Sequence, residues 1–83
     1  SGMIVYRGNL FSGWQGSILI GGLGGTKLVR LQMDGDGVAG EEWLLTERGA
    51  RIRDVQQGPQ GEIYVLTEEG QNSKLLRLRP ASA

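Results

Sequence analysis

Two arginines set two residues apart, Arg51 and Arg53, are the strongest chemical feature of this chain. Alternate residues of an extended strand share a face, so both guanidiniums can turn toward one ligand and offer it forked N–H donors suited to carboxylates. The plainer alternative is a pair of solvated charges at a strand start, with Arg53 paired to its neighbour Asp54. Other polar clusters point to less. Asp34, Asp36, Glu41 and Glu42 could gather oxygen ligands for calcium, but their spacing is not that of an EF-hand loop, and a tight hairpin explains Asp34-Gly35-Asp36-Gly37. Gly21 to Lys27 has the glycines of a phosphate loop, yet the order is Thr26-Lys27 and no helix-forming run follows, so a hairpin between strands fits better. Glu68 and Glu69 are adjacent, and adjacent strand residues diverge, which makes them solvated charges and not an acid–base pair. The chain has no histidine and no cysteine. That removes the commonest general base, thiolate metal sites and disulfides from any mechanism it runs alone.

Charge balance narrows the partners. Nine Lys plus Arg stand against nine Asp plus Glu in 83 residues, so the chain has no electrostatic reason to seek nucleic acid or an anionic membrane. No apolar run approaches the roughly 18–20 residues of a membrane-spanning helix, and no charged-then-apolar leader opens the sequence. Ser1-Gly2 ahead of Met3 reads as a tag scar and residues 81–83 as a tail.

The elements that must position the arginines are short strands. Fifteen glycines and scattered helix formers argue against long helices, whereas Val, Ile, Leu and Tyr cluster in short runs bounded by turn residues. Strands are expected at 3–7, 17–21, 27–33, 41–46, 52–57, 62–67 and 74–79. Residues 15–31 recur as residues 60–78: in both copies Gln-Gly opens an apolar run, a polar or glycine-rich turn follows, and Lys-Leu-x-Arg-Leu closes the unit. Repeats of about 40–50 residues built from short strands point to β-propeller blades. The expected fold is therefore all-β: a four-stranded antiparallel blade over 3–48 and a second, three-stranded and incomplete, over 49–80.

Ile18-Leu19-Ile20, Ile63-Tyr64-Val65-Leu66 and Leu75-Leu76 are apolar on both faces and need cover above and below. Two blades cannot close a ring, since the smallest use about four. Completion by self-association, as a dimer or trimer, or by further blades of a longer protein is expected. Trp14 is expected to be a packing residue. Trp43 lies in the outermost strand of its blade, where core packing is the simpler expectation and a partner contact the alternative.

The stretch from Ala50 through Arg51-Ile52-Arg53-Asp54-Val55, Gly58-Pro59-Gln60-Gly61 and on to Thr67 resembles the last-blade signature of the soluble quinoprotein sugar dehydrogenases, the glucose/sorbosone or aldose sugar dehydrogenase family. Upstream, Phe11-Ser12-Gly13-Trp14-Gln15-Gly16, Leu19-Ile20-Gly21-Gly22-Leu23 and Leu28-Val29-Arg30-Leu31 are similar to the preceding blade. The likeness runs from about Met3 to Pro80 and implies the C-terminal third of a six-bladed propeller that oxidises aldoses with pyrroloquinoline quinone (PQQ), typically outside the cytoplasm. It further implies that Arg51 and Arg53 match two arginines that hold the carboxylates of that quinone near the axis. Some members carry a quinone-contacting lysine directly after the leucine matching Leu23; here Lys27 comes three residues late. The family's histidine base and calcium ligands belong to earlier blades. The chain alone is thus expected to be catalytically silent, without a metal of its own and not holding PQQ by itself.

Three functions are compatible with these features: a fragment of a PQQ-dependent sugar dehydrogenase, a stand-alone oligomeric assembly or binding module in which three copies rebuild a ring, and a designed propeller piece with no cellular activity.

Overall fold

The computed structural model describes residues 2–21 and 26–80. Strands β1 (Met3–Val5), β2 (Ile18–Ile20), β3 (Leu28–Asp34) and β4 (Gly37–Leu44) form one antiparallel sheet in sequence order. A single 3-10 turn at Thr46–Arg48 leads to β5 (Arg51–Gln57), β6 (Ile63–Glu69) and β7 (Asn72–Leu78), which form a three-stranded antiparallel sheet, again in sequence order. All seven expected strands are present. The turn expected at 22–25, and with it most of the phosphate-loop-like stretch, lies outside the described residues, as do Ser1 and the tail at 81–83. No described helix is long and apolar enough to cross a membrane.

Turn chemistry sets the strand ends. Asp34 pairs with Gly37 and Glu69 with Asn72, so each hairpin has two central residues and a glycine first among them, Gly35 at φ 61° and Gly70 at φ 64°. Glycine at that position, with φ positive there alone, suits the right-handed twist of the flanking strands. Because the first hairpin zips directly from Gly37, β4 begins well before residue 41, where the apolar run alone places it.

The sequence repeat is also a repeat of register. In the first sheet Ile18, Leu19 and Ile20 face Leu31, Arg30 and Val29; in the second Ile63, Tyr64 and Val65 face the matching Leu78, Arg77 and Leu76. The turns ahead of β2 and β6 match too, with Gly16 at φ 84° and Gly61 at φ 86°. Burial, by contrast, is inverted between the copies. Leu19 is buried while its counterpart Tyr64 is half-buried, and Ile63 and Val65 are buried while Ile18 and Ile20 are half-buried. The cause is geometric: the sheets pack against each other, so the first contributes one face of the repeat and the second the opposite face.

Leu19 and Leu28 meet Ile52, Val55, Ile63 and Val65 in that core, closed at one end by Tyr6 and Phe11. Phe11 stacks on Trp14 with centroids 4.5 Å apart, and Tyr6 stands nearly perpendicular to both rings. Trp14 is the packing residue expected of it. The Tyr6 hydroxyl spans the sheets: it donates to the Gly61 carbonyl at 2.5 Å and accepts the Phe11 N–H at 3.3 Å. Gly8 is needed beside it, since a Cβ there would lie 2.5 Å from the Gly61 Cα. Trp43 departs from the simpler expectation. It shares an outward row with Met3, Ile20 and Val29, no sheet covers that row, and Trp43 is 58% exposed.

Candidate anion-binding site

β5 starts directly after the buried Ala50, which fixes where the arginine pair leaves the core. Ile52 and Val55 are both buried although they stand three positions apart, a spacing that a regular two-residue pleat cannot produce. A β-bulge resolves this. The register with β6 shifts between Ile52 and Asp54, leaving Arg53 as the residue without an opposite partner. The Asp54 carboxylate accepts the Val55 N–H at 2.9 Å and the Gln56 side-chain amide at 3.2 Å, which ties down the irregular backbone locally.

The bulge brings Arg53 to the carboxylate of the residue that lies opposite Arg51. Arg51 lies opposite Glu68 in the ladder, and Arg53 Nη1 approaches Glu68 Oε2 to 3.1 Å. Arg51 makes no ion pair among the described residues. The Arg53–Asp54 pairing expected on the plainer view is replaced by the Arg53–Glu68 pair, because Asp54 is engaged with the bulge backbone. Two guanidiniums and one carboxylate leave a local charge of about +1, on a surface where solvent and salt weaken attraction. The donors fit the carboxylates of a polyanion such as PQQ, but both arginines are exposed. The residues present can hold an anion's edge; they do not form a pocket around it.

The adjacent glutamates do diverge, yet they are paired and not merely solvated. Glu68 takes Arg53, whereas Glu69 accepts Arg48 Nη2 at 2.8 Å and the Thr67 hydroxyl at 2.9 Å, with Lys74 Nζ at 3.6 Å. The Arg48 hydrogen bond, followed by that from Thr67, holds the Glu69 carboxyl below its ordinary value. Lys27 immediately precedes β3 of the other sheet, with its ammonium 4.5 Å from the Trp43 ring centroid. Among the described residues no group of three or more metal-ligating side chains is gathered, including Asp34, Asp36, Glu41 and Glu42.

Sequence reasoning missed a cleft of about 430 Å³ lined mainly by Phe11, Trp14, Leu44, Leu45 and Leu78. Its walls come from both sheets, so no contiguous motif announces it. At its edge Leu45, a non-glycine residue at φ 62°, turns the chain out of β4, a conformation that its residue type does not announce.

The pattern of a glucose/sorbosone dehydrogenase covers residues 1–77, and this chain belongs to that family. It is 41% identical over 80 residues to the aldose sugar dehydrogenase YliI of Escherichia coli (strain K12), covering 96% of this chain and 21% of that protein. A solved glucose dehydrogenase superposes with a TM-score of 0.88 at 46% identity, covering 98% of this chain and 25% of the other. The soluble aldose sugar dehydrogenase of Escherichia coli in its apo-form does so with a TM-score of 0.79 at 40% identity, covering 96% and 23%. The chain thus spans about a fifth to a quarter of the length of these relatives. Its fold is all-β, a four-stranded and a three-stranded antiparallel propeller blade packed face to face.

Proposed function

We propose that this chain is the C-terminal two-blade portion of a PQQ-dependent aldose sugar dehydrogenase scaffold, with blades over 3–48 and 49–80, and that it contributes quinone contacts without catalysing oxidation alone. The reading is supported by the exposed Arg51 and Arg53 at the start of β5, with Arg53 at the bulge paired to the Glu68 that lies opposite Arg51, within a chain of this family. In a full-length member the quinone is the two-electron acceptor for the sugar. The part assigned to this chain is narrower. Arg51 and Arg53 donate forked N–H groups to its carboxylates, and Glu68 orients Arg53 while keeping the local charge low. Proton abstraction from a sugar hydroxyl needs a base, and the sequence supplies no histidine for it. An extracytoplasmic setting accompanies this proposal, on family grounds.

The test is quinone-dependent dye reduction with glucose by the purified chain, run beside a PQQ titration. The expected outcome is a rate equal to the protein-free blank; turnover above it overturns the assignment of catalysis to other blades. A stand-alone oligomeric module is the second function kept, because the apolar faces with Trp43 and Leu75 are uncovered in the single chain.

A further inference from the structure

The bulge at Arg53 is braced from the first blade. One step beyond the Met3–Ile20 rung, the Gly21 N–H donates to the Gly2 carbonyl at 2.9 Å. This glycine pair packs on β5, Gly21 against the residue before Arg53 and Gly2 against the residue after it. A Cβ at Gly21 would run into the Ile52 side chain, with the Ile52 Cβ 3.1 Å away. A Cβ at Gly2 would run into Asp54 Oδ1 and lie 2.7 Å from the Val55 nitrogen and 3.1 Å from the Asp54 Cα. To restore an ordinary contact of about 3.5–4.0 Å, the β5 backbone would have to retreat by roughly 1 Å. Only glycine permits so close an approach. Asp54 completes the hold from within β5, because its carboxylate accepts the Val55 N–H and the Gln56 side-chain amide.

We propose that Gly2, Gly21 and Asp54 are positioning residues for Arg53: they form a seat that fixes the bulge and so the direction in which the guanidinium leaves the strand. A bulged residue has no cross-strand partner of its own, and its side chain is aimed by the residues on either side. Arg53 is exposed, so packing of its own side chain does not aim it. Its pair with Glu68 is an exposed one, of the kind that stabilises little by itself. The rigid element is the seat, which acts through Ile52 and Asp54. The role rests on the reading of the arginines as quinone contacts and adds what sets their geometry. On this assignment Gly2 belongs to the fold and is not left from a tag, in line with a family match that begins at residue 1.

The test first reads the Arg53 guanidinium by NMR in the folded chain without ligand. Glu68→Gln removes the partner of Arg53 Nη1 and should shift the Arg53 signals. That response should be largely lost in Gly2→Ala and in Asp54→Ala backgrounds. It should be retained with Asp54→Asn, which keeps an oxygen for the Val55 N–H. Asp54→Asn and Asp54→Ala remove the same charge, so equal loss in both would overturn the seat at Asp54. An unchanged response in folded Gly2→Ala would overturn the proposal outright. Should Gly2→Ala lose its β spectrum by circular dichroism, Gly21→Ala, whose Cβ meets a side chain and not backbone, takes its place under the same criterion. PQQ is then titrated into the same samples. Association should be about two- to fivefold weaker in Gly2→Ala than in the parent, and in Asp54→Ala than in Asp54→Asn, the scale of one exposed charge contact. Adding Arg53→Ala should erase both differences, and survival of either would show that the seat does not act through Arg53. A parent chain whose arginine signals ignore PQQ would overturn the quinone reading, while the ligand-free comparison still decides the seat.

Discussion

Leu28 and Leu75 occupy the same place in the repeat, each following a lysine and preceding an x-Arg-Leu, yet Leu28 is fully buried and Leu75 is 69% exposed. Their identity is explained by a shared fold position and their difference by which neighbour is present. Burial of a leucine is a property of the second surface as much as of the residue. Leu28→Ala should therefore cost about 2–5 kcal/mol in urea unfolding at low protein concentration. Leu75→Ala should cost no more than about 0.5 kcal/mol under the same conditions. Equal losses at the two sites would mean that Leu75 is covered within one chain.

The link between blades is sharpest at Tyr6. Its hydroxyl is both donor to Gly61 and acceptor from Phe11, and it is wholly buried. Tyr6→Phe keeps the ring packing but leaves that carbonyl and that N–H without their partner. A loss of about 1–3 kcal/mol is expected, read as a shift in the unfolding midpoint with no change in slope. A changed slope would indicate that the blades had separated and that the second unfolds independently.

Much of this was legible in the sequence because its causes are local. Apolar runs, glycine turns and the repeat placed all seven strands, and the Arg51/Arg53 spacing pointed to a shared face. What lay beyond reach depended on register and neighbours. The bulge at Arg53 is set by Ile52 and Val55 both seeking the core, a demand visible only once the facing sheet is in place. The exchange of Asp54 for Glu68 as the Arg53 partner follows from cross-strand pairing, which sequence adjacency cannot rank. Trp43 went from an expected core residue to an exposed one because its row faces away from the second blade.

Acid should weaken the junction where Glu69 meets Arg48, Thr67 and Lys74. The folded-state value of Glu69 is depressed, so the unfolded chain takes up the proton more readily. Its contribution to stability is thus present above the ordinary carboxylate range and is lost as pH falls through that range to the lower folded value. Unfolding midpoints of the parent chain and of Glu69→Gln should differ most near neutral pH and converge in acid. A gap that persists unchanged into acid would assign the effect of the substitution to packing and not to charge.

The last prediction concerns the arginine face itself. Arg53 is paired with Glu68, the residue opposite Arg51 in the ladder, and that carboxylate competes with any anion approaching the Arg53 guanidinium. On an open surface the association with PQQ should be weak and fall with added salt, since attraction between exposed charges is screened over about 8–10 Å at ordinary ionic strength. Glu68→Gln frees Arg53 and removes a repelling charge, so affinity should rise about two- to fivefold, the scale of one exposed charge pair. Arg53→Ala should lower it by a similar factor, and in the double variant the gain from Glu68→Gln should largely disappear because the guanidinium it releases is gone. The double variant decides between the two ways Glu68 can act. If Glu68→Gln helps as much without Arg53 as with it, Glu68 acts by repelling the quinone directly and not by holding Arg53.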